Sequence, residues 1–272
     1  MLGNNNQYLL KIVSVVILPL IFAIACNDIS KDAIAQKDNN LMASSTDQTS
    51  DLIKSVKNKN FNRIRELINS GVDLNIRDEK GYTLIQIAMR DEDSEMLELL
   101  LRSGANPNMK VLIGSAPLEK ALLSDNINLS FILLKYGADV NTKFKNGRTI
   151  LIDSLIKEKK ELSSYLITHG AKVNEANEIG RTSLFYVKGE HNELVKLLIE
   201  KGANVNYKDN EGLTPLFIAI ENNDANLIHA LVENGANINE EDNYEWTPLQ
   251  QALVLGCFDI IEYLKEHGAI LK

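Results

Sequence analysis

Residues 212–219 read Gly-Leu-Thr-Pro-Leu-Phe-Ile-Ala, and residues 234–239 read Asn-Gly-Ala-Asn-Ile-Asn. The glycine of the second stretch closes an apolar run, and six further glycines do the same. The full set is Gly71, Gly104, Gly137, Gly170, Gly202, Gly235 and Gly268, with spacings of 33, 33, 33, 32, 33 and 33 residues. Such a regular period predicts a solenoid, in which one small unit is stacked many times and contacts mainly its neighbours.

The rest of the unit recurs around that glycine. An Asn follows four residues later in six copies, a second Gly follows ten residues later in five copies, and a Thr or Thr-Pro comes next. Thr-Pro is typical of a helix N-terminus, because the hydroxyl caps a free N–H and proline loses no hydrogen bond there. The closing glycine is typical of a helix C-terminus. Each unit is therefore predicted to form a helix, a turn, a second helix and a hairpin-like loop.

These residues resemble the ankyrin repeat over about residues 51–272. The resemblance implies an all-α solenoid of stacked helix-turn-helix units with β-hairpin-like loops, about seven helix pairs in all. An N-terminal cap is expected at 51–77, and repeats at about 78, 111, 144, 177, 209 and 242. The His that the family carries after Thr-Pro-Leu is replaced in every copy. The fourth repeat lacks one residue near 187–190, which predicts a shorter turn between its two helices.

The N-terminus indicates export. Residues 12–25 form an apolar run behind Lys11, shorter than the roughly 20 residues that a membrane span needs, so 1–25 is predicted to be a signal peptide. Ala-Ile-Ala-Cys at 23–26 resembles a bacterial lipoprotein box, which implies lipidation of Cys26 and a membrane-anchored protein on the periplasmic or cell-surface side. Ordinary cleavage to a soluble secreted product and an uncleaved anchor are the alternatives. Residues 26–50 are polar, and we expect a flexible tether there.

Composition and motifs argue against several classes of function. With 37 acidic and 29 basic residues the chain carries a net charge of −8, so nucleic acid is not an expected partner. The four His lie in four different repeats, and no spacing suits a metal ion or a phosphate loop. We therefore expect no catalytic residue, no metal and no cofactor. The oligomeric state stays open, with a monomer as the expectation.

Binding residues are sought where the chain departs from the repeat pattern. Between the Asn and the second Gly, most copies are polar, but one reads Val111-Leu112-Ile113 and the next contains Phe144. The residue after the second Gly is exposed and variable in this family, and the types found there and nearby include those enriched in binding hot spots: Tyr82, Arg148, Arg181, Tyr244 and Trp246. Two alternatives stay open: residues 111–113 pack against neighbouring loops, and Trp246 covers the C-terminal end.

Three classes of function follow. The favoured one is a non-enzymatic, lipid-anchored scaffold that binds a protein partner through its loops and inner helices. The second is an exported effector or adhesin that binds a host or other foreign protein. The third, a small-molecule or enzymatic role, would need a concave site with convergent polar groups, and the sequence shows none.

Overall fold

The computed structural model describes residues 47–110, 114–124 and 126–271. These residues fall into two compact units, one ending at Ile76 and the other beginning at Arg77. Regular secondary structure in the described ranges is helical, apart from two isolated bridges, Arg77 with Thr83 and Lys143 with Thr149. No helix within those ranges is both long and apolar enough to cross a membrane. The all-α repeat class is confirmed.

The first unit contains one helix pair, α1 at 47–57 and α2 at Phe61–Asn69. Asn60 caps α2, since its side-chain oxygen accepts the Arg63 N–H at 3.2 Å. Apolar side chains on the two helices are buried, among them Leu52 and Ile64. Residues 47–50 are already helical, so α1 begins before the predicted boundary at residue 51. Residues 47–50, the last four of the predicted tether, thus belong to α1.

The second unit contains six repeats, numbered here from residue 78 onward. Two α-helices form each repeat except the fourth, and they pack on one another and on the next repeat. In chain order they are α3 Leu84–Arg90, α4 Ser94–Arg102, α5 Pro117–Leu123, α6 Ile127–Lys135, α7 Ile150–Ile156, α8 Lys160–Thr168, α9 Asn192–Glu200, α10 Pro215–Glu221, α11 Ala225–Glu233, α12 Pro248–Leu255 and α13 Phe258–Glu266. The predicted helix–turn–helix unit is thus confirmed in five of the six repeats.

Two of the residues that replace the family's His complete a capping box. The Thr83 hydroxyl accepts the Gln86 N–H, and the Gln86 side chain accepts the Thr83 N–H at 3.0 Å. Thr247 and Gln250 form the same reciprocal pair at the start of α12. Each box satisfies two N–H groups at the helix N-terminus, so these helix starts are capped without the His.

A small residue recurs at one position of the first helix in five of the six repeats, and it is buried in each of them. Ala88, Ala121, Ala219 and Ala252 are buried there, and Ser154 is buried with its hydroxyl 2.8 Å from that of Ser163 on α8. A small side chain lets the two helices of one repeat approach closely. The core of the second unit therefore follows the repeat pattern read from the sequence.

Repeat 4 differs from the prediction of a shortened turn. Its first α-helix is replaced by two short 3-10 helices, Ser183–Phe185 and Gly189–His191. A 3-10 helix rises about 2.0 Å per residue, against about 1.5 Å in an α-helix. With one residue fewer, the chain can span the repeat only in the more extended form. The deletion thus removes the first α-helix and leaves α9 in its normal place.

A row of asparagines joins each repeat to the next. The Asn206 side-chain amide donates to Gly235 O at 3.0 Å, while its oxygen accepts the Asn237 N–H at 2.7 Å. The same two bonds, between 2.7 and 3.4 Å, recur at Asn108, Asn141, Asn174 and Asn239. This row accounts for five of the six Asn residues that follow a closing Gly by four positions. It runs through repeat 4 without a break.

Candidate interaction surface

In repeats 1 and 3 to 6, whose first five residues are all described, these residues form a tight loop, which we call the finger. In repeat 2 the same name is used for 111–115 as a position in the sequence. In finger 1 the Asp78 N–H donates to Tyr82 O at 2.8 Å, and Asp78 Oδ1 accepts the N–H groups of Lys80 and Tyr82, each at 3.0 Å. Asn177, Asp209 and Asp242 make the equivalent side-chain bonds in fingers 4, 5 and 6. A side chain that closes its own backbone turn fixes the direction of the fifth residue. Sequence reasoning missed this role, although Asp or Asn at the first finger position was its signal.

Neighbouring fingers approach so closely that glycine is needed. A Cβ added to Gly212 would lie 2.6 Å from Asn243 N, and one added to Gly180 would lie 2.7 Å from Asn210 N. Asn243 also donates from its amide nitrogen to Asn210 O at 3.0 Å, which ties finger 6 to finger 5. The fingers of repeats 4 to 6 therefore form a stacked row rather than independent loops.

Three predicted binding residues are exposed at finger tips. Tyr82 is 41% exposed on finger 1, while Tyr244 and Trp246 are 74% and 44% exposed on finger 6. Four fingers separate the two groups, so these aromatic side chains do not form one continuous patch. Residues 111–113, which were predicted to provide apolar contacts, lie outside the described residues, as does Cys26.

The prediction for Phe144 is wrong. Its side chain is only 9% exposed, and the Arg148 guanidinium lies 5.5 Å from its ring centre. Phe144 occupies the first finger position, where other repeats carry the Asp or Asn that accepts the turn N–H groups. Its backbone N–H still donates to Arg148 O at 2.8 Å. The turn is also closed by Asn146 Oδ1, which accepts the Arg148 N–H at 3.2 Å, so Phe144 contributes apolar burial in this finger and its ring is not an exposed contact.

The two predicted arginines are engaged within the protein. Arg148 Nη2 lies 2.6 Å from Asp153 Oδ1, and that carboxylate is 1% exposed. Arg181 Nε lies 2.9 Å from the buried Asp209 carboxylate on the next finger. A buried carboxylate needs a cation beside it. Both arginines are partly exposed and balance these charges, and their role in binding a partner stays a prediction.

A cleft of about 740 Å³ lies on the finger and first-helix side of repeats 1 and 2. Tyr82 lines it together with Met89 from α3 and Ser115 from finger 2. Its charged lining residues are Glu79, Glu92, Lys80, Arg90 and Lys120, two acidic and three basic side chains. The cleft is therefore close to neutral. Its concave shape and the exposed Tyr82 beside it make it a candidate site for a protein segment.

Ion pairs between repeats lie along the second unit. Lys143 Nζ lies 2.5 Å from Glu175 Oε1, and the hydrogen bond between them lowers the pKa of Glu175. Lys208 lowers the pKa of Glu240 in the same way, across 2.7 Å. These pairs link neighbouring repeats through solvent-exposed charges, so each contributes little by itself.

A second apolar surface was not anticipated. Val254, Leu255 and Phe258 are exposed at the turn between α12 and α13, and Phe258 is 82% exposed. The corresponding residues of repeat 5 are Glu221, Asn222 and Ala225. The signal was present in the sequence as a change from polar to apolar at two of these positions and from Ala to Phe at the third.

Comparison with known proteins agrees with this architecture. A family model described as ankyrin repeats (3 copies) matches residues 20–111, 52–144, 118–209 and 186–272. These matches overlap and together include both compact units. No curated protein matches the chain.

Proposed function

The chain belongs to the ankyrin repeat family, whose members are generally protein–protein interaction modules, and from this we propose that it is a non-enzymatic scaffold that binds a protein partner through the cleft of repeats 1 and 2. The observation that carries the proposal is that cleft, rimmed by the exposed Tyr82. Tyrosine is enriched in hot spots, because a large ring at low conformational cost contributes most when a partner covers it.

The chemistry of the cleft suggests the kind of partner. Two acidic and three basic side chains leave little net charge, so long-range electrostatics contribute little to affinity. Apolar contact with the exposed Tyr82 ring would provide most of the affinity. We expect an extended protein segment with an apolar residue as its anchor, and a dissociation constant that changes less than about tenfold between low and physiological salt.

A photo-crosslinking experiment tests this proposal. A photoreactive phenylalanine analogue in place of Tyr82 should crosslink a partner in the native cell, whereas the same analogue at the exposed position of Tyr244 should not. Crosslinking of equal yield from both positions would contradict a site in repeats 1 and 2. Failure of the Tyr82 position to crosslink any protein would contradict the scaffold itself.

The finger of repeat 2 allows a second test. Replacing Val111, Leu112 and Ile113 together with Ser should weaken partner capture and leave the melting temperature nearly unchanged. Ile179→Ser is the matched control, because Ile179 is an exposed aliphatic residue of finger 4, two repeats away. A large fall in melting temperature for the triple variant would show instead that residues 111–113 are core.

We also propose that the scaffold is exported and anchored by a lipid on Cys26. The apolar run at 12–25 and the Ala-Ile-Ala-Cys sequence at 23–26 support this proposal. Metabolic labelling with a fatty-acid analogue should mark the native chain and not Cys26→Ser. An unlabelled, soluble, cleaved product would favour simple secretion. Protease treatment of intact cells distinguishes a periplasmic scaffold, which survives, from a surface effector or adhesin, which is cut.

A further inference from the structure

The irregular fourth repeat brings three metal-ligating side chains together. Its second 3-10 helix carries Glu190 and His191, and the turn between α7 and α8 carries Glu158. One potential ligand atom from each of the three residues lies within 4.8 Å of the other two. In the regular repeats the residues just before the second helix form a turn, as at 91–93 before α4, whereas in repeat 4 they form the 3-10 helix that leads into α9.

Backbone contacts fix both sides of the cluster. The Gly189 N–H donates to Asp224 Oδ2 at 2.7 Å, and a Cβ at residue 189 would lie 2.3 Å from Leu227 N. Only glycine therefore allows this segment to pack on the start of α11. On the other side, Glu158 has a left-handed backbone with φ of 55° and donates its N–H to Leu155 O at 3.0 Å. Both carboxylates and the imidazole thus project from constrained backbone.

We propose that Glu158, Glu190 and His191 bind a divalent transition-metal ion such as Zn²⁺. One imidazole and two carboxylates suit zinc, cobalt or manganese better than calcium or magnesium, which prefer oxygen ligands alone. Ligands about 2.1 Å from a tetrahedral zinc lie about 3.4 Å apart. The two glutamates are exposed, so their side chains can rotate inward to reach this spacing. A fourth position would remain for water.

The state of His191 supports the proposal independently. Its Nε2 atom is buried and has no hydrogen-bond partner among the described residues. A buried polar atom without a partner is unusual in a folded protein, because its hydrogen bonds to water are lost and no protein group replaces them. Coordination of the imidazole to a metal ion would supply the missing interaction.

Lys188 would compete with a metal ion for the Glu158 carboxylate. Its ammonium group forms a hydrogen-bonded ion pair with Glu158, which holds the pKa of Glu158 below its usual range. The Lys188 side chain is about half exposed and can swing away into water. Metal binding must break this ion pair, so we expect affinity in the micromolar range rather than the tighter binding of closed structural zinc sites.

Calorimetric titration of the full chain with Zn²⁺ tests the proposal. We expect one ion per chain, reversed by a chelator, and at least tenfold weaker binding in His191→Gln and in Glu190→Gln. His229→Gln and Glu200→Gln are matched controls, because they remove the same side-chain types outside the cluster. Because Glu190 is exposed, we expect Glu190→Gln to fold normally. Circular dichroism checks that each variant is folded.

Substitution of Lys188 is the most specific test of the proposed metal site. Lys188→Gln should bind zinc several-fold more tightly, since Glu158 is then free to coordinate, whereas Lys160→Gln should not. Absence of saturable one-to-one binding would overturn the proposal. So would an affinity that is unchanged in His191→Gln and Glu190→Gln, or a Lys188→Gln variant that binds no more tightly than Lys160→Gln.

Discussion

Replacement of Gly212 with Ala tests whether the fingers are held by close backbone approach. Gly212 has φ of +81°, and an added Cβ would lie 2.6 Å from Asn243 N on the next finger. Asn243 cannot easily retreat, because its N–H donates to Glu211 O and its side chain donates to Asn210 O, both at 3.0 Å. Gly235 is the matched control, since its φ is +87° and an added Cβ would meet no atom within 4 Å.

The difference between the two variants isolates the contact. A left-handed alanine costs about 1 kcal/mol relative to glycine, so Gly235→Ala should lower the free energy of unfolding by about that amount. Gly212→Ala carries the same backbone cost together with an overpacking cost of about 1–3 kcal/mol, because a backbone atom has to move. We therefore expect a total loss of about 2–4 kcal/mol for Gly212→Ala.

Urea unfolding followed by circular dichroism measures both losses. Repeat arrays can unfold in stages, so the midpoint and the slope of each transition should be compared with those of the wild-type chain. Equal losses in Gly212→Ala and Gly235→Ala would refute the argument. That result would mean that finger 6 shifts freely and that only the left-handed backbone selects glycine at position 212.

Three further predictions concern contacts within and between repeats. Asn206→Ala should lower the free energy of unfolding by about 1–3 kcal/mol, because two hydrogen bonds to repeat 5 are lost, and Asn206→Asp should lose less; urea midpoints compare them. Arg148→Ala should destabilise by about 3 kcal/mol, because it leaves the buried Asp153 with only the more distant Lys157, and a melting temperature equal to wild type would contradict this role. The pKa of Glu175 is lowered in the folded chain, so the unfolded chain binds more protons as the pH falls below about 4.5. Stability should therefore decrease over that range, and Lys143→Gln should reduce the dependence of the urea midpoint on pH.

The sequence predicted the features that repeat. The Thr at five of the six helix starts and the closing glycines lie where the period places them, because the same local physics applies in the copies that share them. Tyr82 could be placed on an exposed finger tip for the same reason. A period read over six copies is strong evidence for whatever the copies share.

The sequence could not predict how single copies depart from the period. Phe144 stands at a position that is Asp or Asn in four other repeats. An apolar side chain there is compatible either with an exposed binding contact or with burial in the protein. In the structure the Arg148 guanidinium lies over the Phe144 ring and the ring is buried, and this packing depends on contacts in three dimensions. The missing residue of repeat 4 was detected, but whether a turn or a helix absorbs it depends on the distance to be spanned.

The unbroken asparagine row has a consequence for how such a chain can change over time. Asn174 and Asn206 hold repeat 4 in register although it has lost its first α-helix. The spacing of the stack therefore does not depend on the length or type of the helices between the rows. A single repeat can lose a residue, and acquire local chemistry of its own, while its neighbours keep their positions. In this architecture, a new local function can therefore arise in one repeat while the other repeats keep theirs.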